Sequence, residues 1–175
     1  MKIDTTQTPN IPYNGWTIES NDISLGKKFD PTKITLYLDD EQKDGKHIEG
    51  NKLREKLKGK PVLNATVLDW LLEHPEYIPE DWKGKYVYFW GTIYSSPHGD
   101  RYVLCLYWGG GAWHRDYGWL GFDWVGYNPA AVASSLPSKT KSLPSNHLDL
   151  EKRIKKIENW IDFWETVRTP WDKNK

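Results

Sequence analysis

The sequence predicts an α+β fold: an antiparallel meander sheet of three to five strands, with short helices packed on it and a C-terminal helix. Three observations predict it. Residues 86–94 and 101–108 are rich in β-branched and aromatic residues, and turn formers from Ser95 to Asp100 join them. Apolar residues recur at helical spacing after Asn51 and again after Asn64. A third helical pattern runs from Leu150 to Trp164. The length of 175 residues suits one ordinary domain able to bury a sizeable core.

Each element follows from local signals. Residues 1–30, with Pro9, Pro12 and Asn14-Gly15, read as irregular, pinned to the body by Trp16 and Ile18. Lys33–Leu38 alternates, with Ile34, Leu36 and Leu38 on one side, as a strand does. The charged run 39–46 reads as a solvated loop. Leu53 and Leu57 mark a short helix after Asn51 that Gly59 closes. Asn64 is placed to cap a second helix carrying Val67, Leu68, Leu71 and Leu72, which Pro75 ends. Pro79, Glu80, Asp81 and Gly84 frame a one-turn helix. After the second strong strand, Gly109-Gly110-Gly111 turns the chain into a third strand near 112–119. A small-residue segment, Ala130 to Ser135, precedes a Pro/Ser/Lys linker and a helix over roughly 147–168. The expected organisation is therefore an N-terminal segment with one strand (1–50) belonging to the main domain, a core module (51–135), a linker (136–147) and a helical appendage (148–175).

Lys and Arg number 24, as do Asp and Glu, so the formal charge is zero. That argues against nucleic acid or an anionic membrane as a partner of the whole surface. The one cysteine, Cys105, has no intramolecular partner. No signal-peptide pattern opens the chain, and no run of about 18 apolar residues occurs, so the expected compartment is the cytoplasm.

Eleven Trp, ten Tyr and four Phe are the unusual feature. Such rings build either a heavy core or a stacking platform. Pairing Tyr94 with Arg101 puts Val87, Phe89, Ile93, Leu104, Leu106 and Trp108 on one sheet face. The other face then carries Tyr88, Trp90, Tyr94, Val103, Cys105 and Tyr107, and the third strand adds Trp113, Arg115, Tyr117 and Trp119. The leading expectation is a non-catalytic binding module on this aromatic face. Its ligand would stack on Tyr88, Trp90, Tyr107, Trp113, Tyr117 and Trp119, with Arg101 and Arg115 as polar anchors. The competing expectation covers the same face with the last helix or the N-terminal segment, and a one-residue slip inverts the assignment. In this register His114 and Asp116 would point at Leu106 and Leu104, which calls for a bulge at the triple glycine or for strand residues beyond the sheet edge.

Two further readings stay open. Leu150, Ile154, Ile157, Ile161 and Trp164 form an a/d seam, so residues 148–167 are a candidate surface for a protein partner or a homodimer. His98 with Asp100, or His114 with Asp116, would suit a small hydrolase or transferase needing an oriented general base. Cys105 lies mid-strand among apolar neighbours, where a thiol is inert. The triple glycine lacks the helix and lysine of a phosphate loop, and no Cys or His spacing suits a metal, so neither cofactor nor metal is expected.

Several motifs carry a resemblance. They are Tyr77-Ile78-Pro79-Glu80-Asp81-Trp82-Lys83-Gly84-Lys85, Phe89-Trp90-Gly91-Thr92-Ile93-Tyr94, Ser96-Pro97-His98-Gly99-Asp100-Arg101-Tyr102-Val103-Leu104, Trp108-Gly109-Gly110-Gly111, Trp119-Leu120 and Pro129-Ala130-Ala131-Val132. With them the chain resembles a group of short uncharacterised bacterial proteins. The resemblance spans roughly residues 51–135 and implies one bacterial globular module, with no activity, cofactor or partner attached. It stops before the C-terminal helix, which makes 136–147 the expected hinge.

Overall fold

The computed structural model describes residues 1–134, within the first of the chain's two units, Met1–Pro137. The linker, the C-terminal helix and its seam lie outside the described residues.

The described residues are mixed α/β and mostly strand. In chain order they form β1 (Thr17–Asn21), β2 (Ile34–Tyr37), β3 (Ile48–Glu49), α1 (Gly50–Leu57), α2 (Ala65–Glu73), β4 (Val87–Tyr88), β5 (Thr92–Ser95), β6 (Arg101–Gly109), β7 (Ala112–Trp119), β8 (Asp123–Trp124) and β9 (Ala130–Ala133). Seven strands, rather than three to five, make the main sheet in the order β1-β5-β6-β4-β9-β2, with β7 on the other edge of β6; β3 and β8 pair separately. Pairing is antiparallel except for β4 with β9. Among the described residues no helix is long and apolar enough to cross a membrane.

The register differs from the expected one. Tyr94 pairs with Tyr102 and Ser95 with Arg101, whereas Val87 pairs with Leu106 and Tyr88 with Cys105. Between these stretches Phe89–Gly91 leave the ladder. The segment before α2 crosses here: Gly91 N–H donates to Leu63 O at 2.8 Å. A Cβ on Gly91 would lie 2.7 Å from Asn64 N, so only glycine fits. The interruption swaps two faces. Tyr94 joins Val87, Phe89, Leu104 and Leu106 in one core cluster, while Ile93 joins Tyr88, Trp90, Val103 and Cys105 in the other.

The third strand is inverted relative to expectation. Leu104 faces Tyr117, Leu106 faces Arg115 and Trp108 faces Trp113, so these β7 residues lie on the aliphatic face. His114 and Asp116 instead oppose Tyr107 and Cys105. No bulge at the triple glycine is needed, because Gly109 pairs with Ala112 and Gly110 and Gly111 take φ of 58° and 84°. Two such residues make the tight hairpin turn that matches strand twist.

Each face has its own cover. Val67, Leu68 and Leu71 of α2 pack on the first face with Ile3, Leu25 and Phe29. Leu53 and Leu57 of α1 pack on the second with Ile48, Leu120 and Trp124. The helices therefore sit on opposite faces, and the Tyr88–Trp90 region of the second face is buried under α1 and the β3–β8 pair.

Three local expectations change. The N-terminal residues are tied down by an Ile3–Phe29 bridge and by β1. Asp39 and Gln42, in the supposed solvated loop, are buried in a reciprocal cap. Gln42 Nε2 reaches Val125 O at 3.3 Å and Asn128 O at 3.0 Å, while Lys56 Nζ donates to Asp39 at 2.9 Å. Asn64 makes no side-chain cap on α2. Its Nδ2 donates to Thr5 O and Asp22 O, and Thr92 Oγ1 accepts the Ala65 N–H at 2.9 Å in its place.

Candidate binding site

The stretch from Tyr117 to Asn128 alternates rings with glycines, and its packing builds a cleft. Leu120 and Trp124 are buried anchors. Leu120 N–H donates to Arg101 O at 2.9 Å, and Phe122 O accepts the Gly50 N–H at 3.0 Å. Gly118 lets the Trp124 ring close on β7, since a Cβ there would lie 2.7 Å from Trp124 Cη2 and 2.9 Å from Tyr88. Gly121 does the same for Trp119, whose ring would meet a Cβ at 2.6 Å. The two indoles thus rest on bare backbone. That fixes their orientation before any ligand arrives.

The resulting cleft has a volume of about 510 Å³, and eight of its eleven lining residues are aromatic. Tyr86 and Tyr88 come from the start of β4, Tyr102 from β6, and Tyr117 and Trp119 from β7. Phe122, Trp124 and Tyr127 come from the segment around β8. Of nine large hydrophobic side chains exposed among the described residues, five line this cleft: Tyr86, Tyr117, Trp119, Phe122 and Tyr127. A second aromatic layer backs part of the wall. Trp16 stacks on Tyr102 at 4.4 Å, Tyr13 meets Tyr117 edge-on at 5.0 Å, and Tyr107 stacks on Tyr86 at 5.4 Å.

The polar side chains besides the phenols are Asp123 and Asn128, and no Lys, Arg or His lines the cleft. Asn128 is 8% exposed; its Oδ1 accepts the Val125 N–H at 3.0 Å. Its Nδ2 has no hydrogen-bond partner among the described residues. Asp123 stands 3.6 Å from His47 at the exposed rim.

Of the eight residues expected to bind ligand, Tyr88, Tyr117 and Trp119 line the cleft. Tyr107 lies behind Tyr86. Trp90 is buried against Trp124 at 4.7 Å, and the indole N–H groups of both find no acceptor among the described residues. Trp113 does not line the cleft; it lies farther along β7, edge-on to Trp108 at 5.3 Å. Arg101 is paired with Glu19 at 2.7 Å and Arg115 with Asp69 at 2.9 Å, so both guanidinium groups already hold carboxylates. Sequence reasoning missed Tyr86, Tyr102, Phe122, Asp123, Trp124, Tyr127 and Asn128. The available signal was rings at 119, 122, 124 and 127 broken by Gly121 and Gly126, too aromatic for a plain loop and aperiodic for any strand or helix.

The possible catalytic pairs are not assembled. His98 is exposed in the β5–β6 loop, and its backbone N–H donates to Ser96 Oγ at 3.3 Å. His114 Nε2 lies 2.9 Å from Gly109 O, and Asp116 Oδ1 accepts the Tyr117 N–H at 2.8 Å. Among the described residues no hydrogen bond or ion pair joins His98 to Asp100 or His114 to Asp116. Cys105 is fully buried, and burial, with Asp116 nearby, pushes its thiol up to about 12. Among the described residues no group of three or more His, Cys, Asp or Glu could hold a metal. The chain matches no family model, no curated protein and no solved structure.

Proposed function

We propose that this unit is a non-catalytic binding module whose ligand seats in the aromatic cleft beside β7. The observation that carries the reading is that five of the exposed aromatic residues, Tyr86, Tyr117, Trp119, Phe122 and Tyr127, line one concavity. Scattered exposed hydrophobics need no explanation, but a clustered patch marks an interaction site. The cleft's size falls within the range of about 300–1,000 Å³ typical of small-molecule sites. Its lack of basic residues disfavours phosphate and carboxylate ligands, and with them single-stranded nucleic acid, whose backbone needs a cationic groove. The run β5–β6–β7 is the meander of this reading, with its rings gathered at one end rather than over a whole face. A cytoplasmic setting suits the lone buried thiol.

The test is saturation-transfer NMR with a mixed library of uncharged and anionic fragments, on the full chain and on a Trp119→Ala/Tyr127→Ala variant. Uncharged fragments are expected to bind at one competing site and to be lost in the variant. Tyr127→Ala should change stability by no more than about 0.5 kcal/mol, and Trp119→Ala, which loses its packing on Gly121 and Phe122, should cost about 1–3 kcal/mol and leave the protein folded. Equal binding to both proteins would remove the cleft from consideration.

A further inference from the structure

We infer, on the strength of that reading, that the ligand of the cleft is a neutral saccharide. Asn128 is nine-tenths buried, its Oδ1 is committed to Val125, and its Nδ2 has no partner among the described residues. Nδ2 is not sealed off from solvent, so its N–H is open to whatever occupies the cleft. Asp123 is a pure acceptor that takes no hydrogen bond among the described residues, and its neighbour His47 stands at 3.6 Å. The phenols of Tyr86 and Tyr127, both exposed residues of the lining, likewise have no hydrogen-bond partner among the described residues. The site therefore presents a donor, an acceptor and two groups that are both.

A sugar hydroxyl both gives and accepts, so one ligand type answers all three. The C–H bonds on a pyranose face carry partial positive charge and lie against the negative faces of aromatic rings. Trp119, seated on Gly121 and exposed, is the fixed platform for such stacking, and the buried Trp124 braces the floor beneath it. The rival occupants fit less of the wall. A quaternary ammonium would enjoy the rings and Asp123 but has no acceptor for Asn128, and attraction to exposed rings is weak. A proline-rich peptide offers carbonyls to Asn128 but no prolyl N–H to Asp123. Uronic or phosphorylated sugars would meet Asp123 with no Lys or Arg in the lining to offset it.

The experiment is a glycan array probed with the full chain, followed by calorimetry with the neutral oligosaccharides retained. A proline-rich peptide, tetramethylammonium and an oligouronate serve as comparison arms. One or more neutral oligosaccharides should bind, and Asn128→Asp, which keeps the Val125 bond but removes the donor, should weaken binding about tenfold. Should Asn128→Asp fail to fold, Trp119→Ala and Asp123→Asn at the exposed rim make the same distinction, each lowering affinity. Retention of no neutral glycan, or glycan binding indifferent to all three substitutions, overturns the inference. Binding of the peptide or the ammonium alone, with loss in Trp119→Ala, also overturns it but leaves the cleft as a binding site. Failure of every arm together with the fragment screen removes both.

Discussion

Replacing Thr92 by valine isolates one hydroxyl that joins three elements. Thr92 is fully buried on β5; its Oγ1 accepts the Ala65 N–H at 2.9 Å and donates to Asn21 Oδ1 at 2.7 Å. The first bond caps α2 from across the fold, and the second ties β5 to β1. Valine keeps the branched shape but strands the Ala65 N–H, whose residue is fully buried, with no water to replace the acceptor. Losing an N-cap costs about 0.5–2 kcal/mol, and a stranded buried donor about 1–3 kcal/mol. These describe largely the same bond, so they are not added, and a loss of about 2 kcal/mol is expected. Asn21 is only half-buried and recovers a water, so its share is small. Urea denaturation of wild type, Thr92→Val and Thr92→Ser measures the effect, and hydrogen exchange at Ala65 locates it. Serine should restore most of the stability. A valine variant within about 0.5 kcal/mol of wild type, or a serine variant equally damaged, would refute the capping role.

Gly118→Ala should destabilise by about 1–3 kcal/mol through overpacking against Trp124 and Tyr88, and should change the near-ultraviolet circular dichroism; an unchanged spectrum and midpoint would count against the close approach. Cys105, buried and with its thiol pushed up to about 12, should react with a thiol reagent at pH 8 only as the protein unfolds. Labelling at the rate of a free thiol would contradict that packing. For Asp39, burial pushes the carboxyl up, but hydrogen bonds from the Glu41 N–H, Lys56 and Tyr37 outweigh it and hold it below 3.8. A depressed carboxyl contributes stability that is complete above the unfolded value near 3.8 and fades as pH falls through the folded one. Lys56→Met should therefore raise the midpoint of acid unfolding, and an unmoved midpoint would show that the pair is idle.

Local chemistry was legible wherever it acted over a few residues. Glycines at 109–111 and the β-formers beyond them placed β7 at 112–119, and i, i+4 leucines placed the buried sides of α1 and α2. Long-range chemistry was not. Ala130–Ala133 has poor strand propensity, yet it forms β9, crowded between β2 and β4 with Leu63 N–H bonded to Ala131 O. Gln42 reads as surface until its partners, more than eighty residues away, are known. The interruption at Gly91 follows from a chain crossing that no local pattern announces, and it alone exchanged Ile93 with Tyr94.

The aromatic richness then divides by where the cover of the second face ends. The α1 helix and the β3–β8 pair close over Tyr88, Trp90 and Cys105 as far as Trp124. On one side the Trp124 indole packs so tightly against α1 that a Cβ at Gly50 would collide with its Nε1; on the other, its six-membered ring fills the space left by Gly118 and floors the cleft. Beyond it Trp119, Phe122 and Tyr127 are exposed. Trp124 is thus shared by core and cleft, so damage there must disturb stability and binding together. On the proposed function, Trp119 and Tyr127, exposed on the rim, would have binding as a role separable from folding. That asymmetry would let a ligand-binding surface sit on a folded body without being part of what folds it.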